Sequence, residues 1–272
     1  MKQQKIIYYH DELNDDFASN NIKTVETPDD YNYVNHSWFY KTIEFIIYRI
    51  IVTPFVFLYI KIKYNQVFKN KKVIRRYLRE SDKGCFLYFN HTNGDSDAFI
   101  PSIVSFPKKA YIICNPDAIS IKGIKTLVAM LGALPVPYTI KTKRNFKEAI
   151  EYLVNKGKVI AIYPEAHIWP YYTDIRPFID VSFRYPVDMN VASFAITNVY
   201  KKRRLFKKPR IVSYVDGPFY KKDDLNRKDA MHDLRCQVYE AMKYRVDSNP
   251  KYEYIKYIKV DDEKNPYLYN SR

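Results

Sequence analysis

A histidine and an aspartate occur close together in a polar loop, and this pair is the first candidate for chemistry. His91 and Asp97 are separated by five residues in the segment YFNHTNGDSDAFIPS, residues 88–102. A carboxylate beside a histidine fixes the tautomer of the imidazole and supports its positive charge, while the other ring nitrogen can take a proton from a hydroxyl. The local sequence leaves two other interpretations open, a structural loop and a metal-binding loop.

The residue types exclude several other kinds of site. No serine or cysteine lies in a nucleophile-elbow context such as G-x-S-x-G. The nucleophile is therefore expected to be a hydroxyl of the substrate itself. The three cysteines, Cys85, Cys114 and Cys236, have no metal-ligand spacing, which favours reduced, structural cysteines in an intracellular protein. We predict no metal site.

The elements that must position this loop show an alternating pattern from Gly84 onward. Apolar runs predict strands at 85–89, 110–114, 158–164, 191–200 and 210–217, and helical patterns occupy 115–133, 145–156 and 224–246, the last capped by Asp223 or Asp224. Alternation of this kind predicts an α/β fold, a mixed sheet flanked by helices. Active-site loops in such folds follow the carboxyl ends of strands, and the His91 loop directly follows the strand 85–89.

The positive charge of the chain is unevenly distributed. The formal net charge is +15, but residues 1–36 hold three lysines against seven acidic residues, so the excess lies in residues 37–272. No apolar stretch closely follows Met1, so we predict no signal peptide. With 47% hydrophobic residues the chain can bury a core, which excludes global disorder. We expect residues 1–36 to form an acidic, mobile arm.

The most apolar stretch of the chain is WFYKTIEFIIYRIIVTPFVFLYI, residues 38–60. Charged residues interrupt its first half, and the uncharged run 50–60 has only 11 residues, whereas a simple membrane span needs about 20. Pro54 is expected to kink the segment or divide it into two short helices.

A strongly basic segment follows directly. Between Lys61 and Lys83 there are nine Lys and Arg residues against Glu80 and Asp82. An apolar segment next to a cationic one is typical of attachment to an anionic bilayer surface. We therefore predict a membrane-attachment segment at 37–83 and an α/β domain at 84–272, with a buried core helix and a true membrane span as alternatives for 38–60.

Four segments in order resemble the sequence blocks of the glycerolipid acyltransferases, the family of 1-acylglycerol-3-phosphate acyltransferases. NHTNGDSDAFIP resembles the His-Asp block, in the N-H-T-x4-D form of a bacterial subgroup rather than the common N-H-x4-D. LGALPVPYTIKTKRNFKEAIEYLVNKGKVIAIYPEAHIWPYYTDIRPF resembles the second and third blocks, with Glu165 at the position of the Pro-Glu-Gly segment. YPVDMNVASFAITNVYKKRR resembles the fourth. The resemblance covers roughly residues 84–217 and implies the α/β fold of that family.

The blocks also depart from the family pattern. The spacing from His91 to the aspartate is one residue longer than the common form, so Asp95 is kept as a competing partner of the histidine. The third block commonly reads E-G-T-R but here reads EAHI from Glu165. Because the arginine of that block is missing, Arg176 or His167 is expected to take its place in phosphate binding. These departures from the family pattern bear on which substrate is bound more than on which type of reaction is catalysed.

The resemblance implies acyl transfer by a general base. His91 would take the proton of a lysophospholipid or glycerophosphate hydroxyl, with Asp97 orienting the ring, and the alkoxide would attack the thioester of acyl-CoA or acyl carrier protein without an acyl-enzyme. Glu165 would hydrogen-bond the glycerol backbone or hold a phosphate-binding cation. The acyl donor is a co-substrate, and no cofactor is expected. The candidate ligands of the phosphate are Lys141, Lys143, Arg144 and Arg176.

The preferred acceptor is 1-acylglycerol 3-phosphate, which gives phosphatidate; glycerol 3-phosphate or another lysophospholipid comes second, and a non-phosphorylated amine or sugar lipid third. We expect an enzyme bound to the cytoplasmic face of the cell membrane, monotopic or peripheral, with an anionic membrane surface as partner and no nucleic acid. Chain length of the acyl group and oligomeric state stay open. The alternative is a non-catalytic basic membrane- or nucleic-acid-binding protein, because YKKRRLFKKPR, residues 200–210, contains seven Lys and Arg residues.

Overall fold

The computed structural model describes residues 4–18, 25–120 and 123–260. Its centre is a seven-stranded sheet. The strands are β2 (Val67–Lys69), β3 (Phe86–Phe89), β4 (Ala110–Cys114), β5 (Ala133–Pro135), β6 (Val159–Ile162), β7 (Ser193–Lys201) and β8 (Arg210–Phe219). Their order in the sheet is β2-β8-β7-β3-β6-β4-β5. Strands β3 to β7 are parallel to one another, whereas β8 is antiparallel to β7 and β2 is parallel to β8.

Helices cover both faces of this sheet, so the mixed α/β fold predicted from the alternation of elements is confirmed. All side chains of β3 and β6 are buried, which is the usual state of strands in a sheet covered on two sides. Just before β3, Gly84 lies so close to the next strand that a Cβ atom there would be 1.6 Å from the carbonyl oxygen of Lys158. The helices that follow the sheet's first strand are α3 (Lys72–Glu80), α4 (Ile100–Val104), α5 (Asp117–Ser120), α6 (Lys125–Met130), α7 (Ile140–Asn155), α8 (Arg184–Met189) and α9 (Arg227–Asp247).

Two predicted helices differ from the structure for local reasons. The segment 115–133 is not one helix: Gly123 adopts a φ of 84° between α5 and α6, a value that helices do not allow. Residues 121–122 lie outside the described residues. The last helix begins at Arg227 rather than at 224, because the Asn226 side chain, and not Asp223 or Asp224, accepts the N–H groups of Lys228 and Asp229.

The segment expected to be a mobile arm is docked over its described part. β1 (Lys5–Tyr9) pairs in parallel with β9 (Ile255–Lys259) in a separate two-stranded sheet. The indole N–H of Trp169 donates to the carbonyl oxygen of Asp15, 2.7 Å away. The arm is therefore held by backbone pairing and by a buried aromatic side chain. Residues 1–3 and 19–24 of the expected mobile arm lie outside the described residues. Residues 261–272 of the predicted α/β domain lie outside them as well.

The apolar segment forms one long helix, Trp38–Tyr64, which we call the apolar helix. It consists of α1 (Trp38–Phe45), a π-helical stretch (Ile46–Val52) and α2 (Thr53–Tyr64). Pro54 does not divide the segment into two separate helices: it lies one residue into α2, directly after the π-helical stretch, and such a stretch is an irregularity of the hydrogen-bond ladder that accommodates a residue without an N–H. Within the described residues this is the one helix long and apolar enough to cross a membrane by length and composition.

The apolar helix contacts the body of the protein along one stripe only. Of its most apolar 18-residue window, 22% is buried, so the alternative of a buried core helix is wrong. The buried stripe consists of Tyr48, Val56, Ile60 and Tyr64, and the opposite face exposes Phe39, Ile46, Ile50, Phe55, Phe57 and Ile62. The helix spans about 40 Å. It runs from the amino ends of the parallel strands, where the Tyr48 hydroxyl accepts the N–H of Ala110, to their carboxyl ends.

Candidate active site

The loop that follows β3 brings the histidine and an aspartate together. Nδ1 of His91 lies 2.8 Å from Oδ2 of Asp97. The same carboxylate oxygen accepts the backbone N–H of Asn93 at 3.0 Å. Asp97 is 2% exposed, so its carboxylate has a fixed orientation. A carboxylate in this position accepts a hydrogen bond from Nδ1–H and so keeps the proton on Nδ1, which leaves the lone pair of Nε2 available to receive another proton.

Burial raises the pKa of Asp97, and the hydrogen bond and charge of His91 act against that rise. The His91 side chain keeps 16% of its surface exposed. No hydrogen bond occupies Nε2 in the part of the chain that the structure describes. The histidine thus presents an unoccupied nitrogen at the surface while its other nitrogen faces a buried carboxylate, which is the arrangement that a general base requires.

The competing aspartate has other partners. Asp95 Oδ2 accepts hydrogen bonds from the Lys63 ammonium and the Tyr64 hydroxyl, each at 2.7 Å. These two contacts hold the pKa of Asp95 below its usual value. Because Asp95 is tied to the end of the apolar helix, Asp97 is the aspartate that pairs with His91.

Tyrosine and asparagine side chains fix the loop from the neighbouring strands. The ring of Tyr163, directly after β6, lies 4.4 Å from the imidazole of His91, and its hydroxyl donates to the backbone oxygen of Asp97. The Asn90 side chain, directly after β3, bonds the backbone of Asn198 in β7: its amide donates to the Asn198 carbonyl oxygen at 3.1 Å, and its Oδ1 accepts the Asn198 N–H at 2.8 Å. Tyr163 is not among the site residues predicted from the sequence, because a tyrosine at the end of an apolar run carries no motif signal.

Glu165 joins the histidine from the end of β6. Its Oε2 accepts the backbone N–H of His91 at 3.0 Å, and its Oε1 accepts the backbone N–H of Arg176 at 3.1 Å. The guanidinium of Arg176 completes the contact, with Nη2 3.2 Å from Oε2. Burial raises the pKa of Glu165, and the positive charge of Arg176 acts against that rise. Glu165 therefore holds the His91 backbone in place on one side and a buried cation on the other.

Arg176 lies in a position that does not suit a phosphate ligand. Its side chain has no exposed surface, and its guanidinium lies over the ring of Trp169 at 4.9 Å. Besides Glu165, the guanidinium donates to the backbone oxygens of Glu12 and His167. A phosphate would have to displace Glu165 or the docked arm to reach it. In this structure Arg176 is a structural counterion, contrary to the role expected from the sequence.

The other predicted phosphate ligands are not assembled around His91. The His167 ring lies at the surface, 3.5 Å from Asp16. Lys141, Lys143 and Arg144 are exposed on the first turns of α7, which follows β5, three strands and about 14 Å from β3. No hydrogen bond or ion pair joins these three cations to His91, Asp97 or Glu165 among the described residues.

Different cations lie at the His91 end of the sheet. Lys63 contacts Asp95 in the His91 loop. Arg203 donates from Nη1 to the backbone oxygen of Lys63 at 2.9 Å, and the charge of Lys208 reaches Asp95. The basic run 200–210, noted in the sequence as a possible nucleic-acid contact, follows the carboxyl end of β7 beside β3. Its cations therefore lie at the same edge of the sheet as His91.

The described residues include no group of three or more His, Cys, Asp or Glu side chains that could hold a metal ion. The chemistry available at this site is proton transfer through Nε2 of His91, with charged side chains nearby to bind an anionic group. The buried Glu165–Arg176 pair supplies the fixed framework for that histidine.

Replacing Glu165 by Gln is expected to lower the free energy of unfolding by about 3 kcal/mol, because Arg176 would keep its charge in a buried place without a counterion. The matched control is Arg144→Gln, which breaks an ion pair whose side chains are 72% and 66% exposed; it should change stability by less than about 0.5 kcal/mol. Urea unfolding followed by circular dichroism measures both. Equal, small effects in the two variants would contradict a structural role for the buried pair.

Comparison with known proteins gives a likeness in structure but none in sequence. Neither the family models nor the curated protein sequences give a significant match. Among solved structures, the chain resembles the 1-acyl-sn-glycerophosphate (LPA) acyltransferase PlsC from Thermotoga maritima. The TM-score is 0.50 and the identity 15%, and the alignment covers 78% of this chain and 81% of that one. The resemblance to glycerolipid acyltransferases that the sequence blocks indicated is thus confirmed at the level of the fold.

Proposed function

We propose that this chain is a membrane-attached acyltransferase that moves a fatty acyl group from acyl-CoA or acyl carrier protein to the free hydroxyl of a lysophospholipid. The preferred acceptor is 1-acylglycerol 3-phosphate, and the product would then be phosphatidate. The observation that carries the proposal is the hydrogen bond of 2.8 Å between His91 Nδ1 and the buried Asp97 carboxylate, in a fold that resembles PlsC. The likeness in fold supports the class of reaction, and the residues of the loop support its mechanism.

The proposed reaction needs no acyl-enzyme. Nε2 of His91 takes the proton of the acceptor hydroxyl as its oxygen attacks the thioester carbonyl, and Asp97 stabilises the imidazolium that forms. The tetrahedral intermediate then collapses, the carbon–sulfur bond breaks, and the thiolate leaves with the proton from His91. The product ester and a free thiol balance the reaction. A covalent route through Cys85 is disfavoured because burial raises the pKa of that thiol and its side chain lies in the core.

For the phosphate of the acceptor we propose Lys63, Arg203 and Lys208 in place of the cations expected from the sequence. Lys63 contacts the His91 loop through Asp95, and Arg203 is bonded to the backbone of Lys63. A cation matches a phosphate dianion in a partly desolvated site. The cations on α7 could bind only a part of the substrate that reaches from the reacting hydroxyl at β3 to the end of β5, about 14 Å away. These cations are Lys141, Lys143 and Arg144.

We further propose that the apolar helix lies in the membrane surface rather than across the bilayer. Its stripe from Tyr48 to Tyr64 packs on the protein, so a spanning orientation would require that contact to break. The opposite face exposes large apolar side chains along the whole helix, among them Ile50 (59%) and Phe57 (52%). A helix with one face on the protein and one apolar face exposed is suited to the boundary between headgroups and acyl chains. Its carboxyl end then places the His91 loop beside the lipid.

Replacing His91 by Ala is expected to lower turnover by about 10²–10⁴-fold or more, because the general base is lost. Liposome binding should not change, since the substitution does not alter the apolar helix. Transfer of a radiolabelled acyl group from acyl-CoA to 1-acylglycerol 3-phosphate measures the effect.

The chain offers a matched control for this variant. His232 also faces an aspartate, with its Nδ1 3.2 Å from Oδ2 of Asp180, but its side chain is exposed on the outer face of α9. His232→Ala should keep full turnover. Unchanged turnover in His91→Ala, or an equal loss in both variants, would contradict the assignment of His91 as the base.

A double substitution, Ile50→Lys with Phe57→Lys, is expected to abolish flotation with anionic liposomes. Each apolar side chain withdrawn from the bilayer removes about 1.5–3 kcal/mol of binding. The control is Ile140→Lys, because Ile140 is 86% exposed on α7, away from the apolar helix. Flotation of the double variant at the wild-type level would contradict attachment through this face. Binding of RNA in preference to liposomes at matched salt would favour the nucleic-acid alternative instead.

A further inference from the structure

A second site on the molecule is a cavity of about 1060 Å³ that lies away from His91. Lys108 and Lys109 precede β4 and Lys158 precedes β6, and all three line the cavity. These residues mark the amino ends of the parallel strands, whereas His91 and Glu165 follow the carboxyl ends. The two places are separated by at least the length of a strand, on the order of 13 Å.

The walls of this cavity carry a large excess of positive charge. The cationic lining residues are Lys41, Arg49, Lys108, Lys109, Lys125, Lys156 and Lys158, and the acidic ones are Asp30 and Glu44. Glu44 is engaged by Lys109 at 2.7 Å. In the described part of the chain no ion pair joins the other cations of the cavity to an acidic side chain.

The cations are close enough to affect one another. Burial lowers the pKa of Lys158; Glu44 acts against the fall, and Lys108, Arg49 and Lys41 add to it. Burial likewise lowers the pKa of Lys109 to about 8, although Glu44 partly offsets the effect. Mutual repulsion of several ammonium groups around one cavity is relieved by a multivalent anion. A phosphate monoester presents three acceptor oxygens and a charge of about −1.5 to −2, against two oxygens and one charge for a carboxylate.

The position of the cavity indicates where such a phosphate comes from. One wall is a face of the apolar helix, with Tyr40, Glu44 and Tyr48 at helical spacing. Phe45 lines the cavity and is also 57% exposed beside the membrane-facing side chains. The cavity and the exposed apolar face of the helix are therefore continuous. The remaining aromatic side chains of the wall are Tyr31, Tyr33, Tyr111 and Tyr152.

We propose that this cavity binds the phosphate group of an anionic lipid, with Lys108 and Lys158 as its central ligands and the acyl chains along the exposed face of the apolar helix. The site is separate from the proposed acyl-transfer site and lies at the opposite edge of the sheet. It would hold a lipid that is neither acyl donor nor acceptor in the reaction, and so fix the orientation of the protein on an anionic bilayer.

Lysine labelling of the full chain, read residue by residue by mass spectrometry, tests this proposal. The probes are dihexanoylphosphatidic acid, inorganic phosphate and uncharged dihexanoylglycerol. At a ligand concentration ten times the dissociation constant, labelling of Lys108 and Lys158 should fall about tenfold with the phosphatidic acid, since the unliganded fraction of the protein is 1/(1 + [L]/Kd). Lys228 and Lys256, which are exposed elsewhere, serve as internal controls and should label unchanged.

The probes distinguish the source of the phosphate. Protection by the phosphatidic acid alone supports a lipid site, and protection by inorganic phosphate as well supports the cavity as a site for phosphate itself. No protection with any probe, equal protection by dihexanoylglycerol, or equal protection of the control lysines would overturn the proposal. The readout does not involve turnover, so it stands apart from the test of His91, and protection of Lys63 or Lys208 reports separately on the proposed acyl-transfer site.

A double variant tests the same proposal through the affinity for the lipid. Lys108→Gln with Lys158→Gln should weaken binding of the dihexanoylphosphatidic acid by about a hundredfold, because each of the two charge-assisted hydrogen bonds contributes on the order of a factor of ten. Lys228→Gln is the matched control and should bind as the wild type does. Circular dichroism checks that the variants are folded. An unchanged affinity in the folded double variant would also overturn the proposal.

Discussion

Two carboxylates, those of Asp97 and Glu165, are buried at the carboxyl ends of neighbouring parallel strands, and each accepts a hydrogen bond from the same histidine. Asp97 faces the ring nitrogen of His91, and Glu165 accepts its backbone N–H. A buried carboxylate without partners costs several kcal/mol, so neither group can move without loss. His91 is thereby held at two points, its backbone by Glu165 and its ring by Asp97. Its orientation depends on the register of β3 and β6, which brings both loops to one edge of the sheet.

The rest of the structure follows outward from this constraint. The charge of Glu165 requires Arg176, and the guanidinium of Arg176 in turn is enclosed by Trp169 and the docked arm. On the other side, Asp95 links the His91 loop to the carboxyl end of the apolar helix through Lys63 and Tyr64. A continuous set of contacts therefore connects the proposed base to the element that we propose lies in the membrane surface. Through this connection the exposed apolar face of the helix is held close to the proposed base.

The sequence predicted those parts of the molecule that depend on local pattern. The five strands of the alternating pattern were found because buried parallel strands are continuous apolar runs, and β4 coincides with the predicted 110–114. Contacts between distant parts of the chain left no such pattern. The pairing of β1 with β9 joins residues about 250 positions apart, so the arm was expected to be mobile. The separation of Lys141 from His91 is likewise set by the order of the sheet, in which β6 and β4 lie between β3 and β5, and spacing along the chain does not reveal that order. Spacing alone also left Asp95 and Asp97 as alternatives, and the turn that follows Asn93 decides between them.

The proposed function is tested most directly by acyl transfer from the purified chain to a panel of acceptors, with acyl-CoA and acyl carrier protein as donors and mass spectrometry of the lipid products. The protein should acylate 1-acylglycerol 3-phosphate, release one thiol for each ester formed, and give much less product from a monoacylglycerol that lacks the phosphate. Absence of transfer to every phosphorylated acceptor with either donor, while the protein is folded and bound to liposomes, would contradict the proposed function.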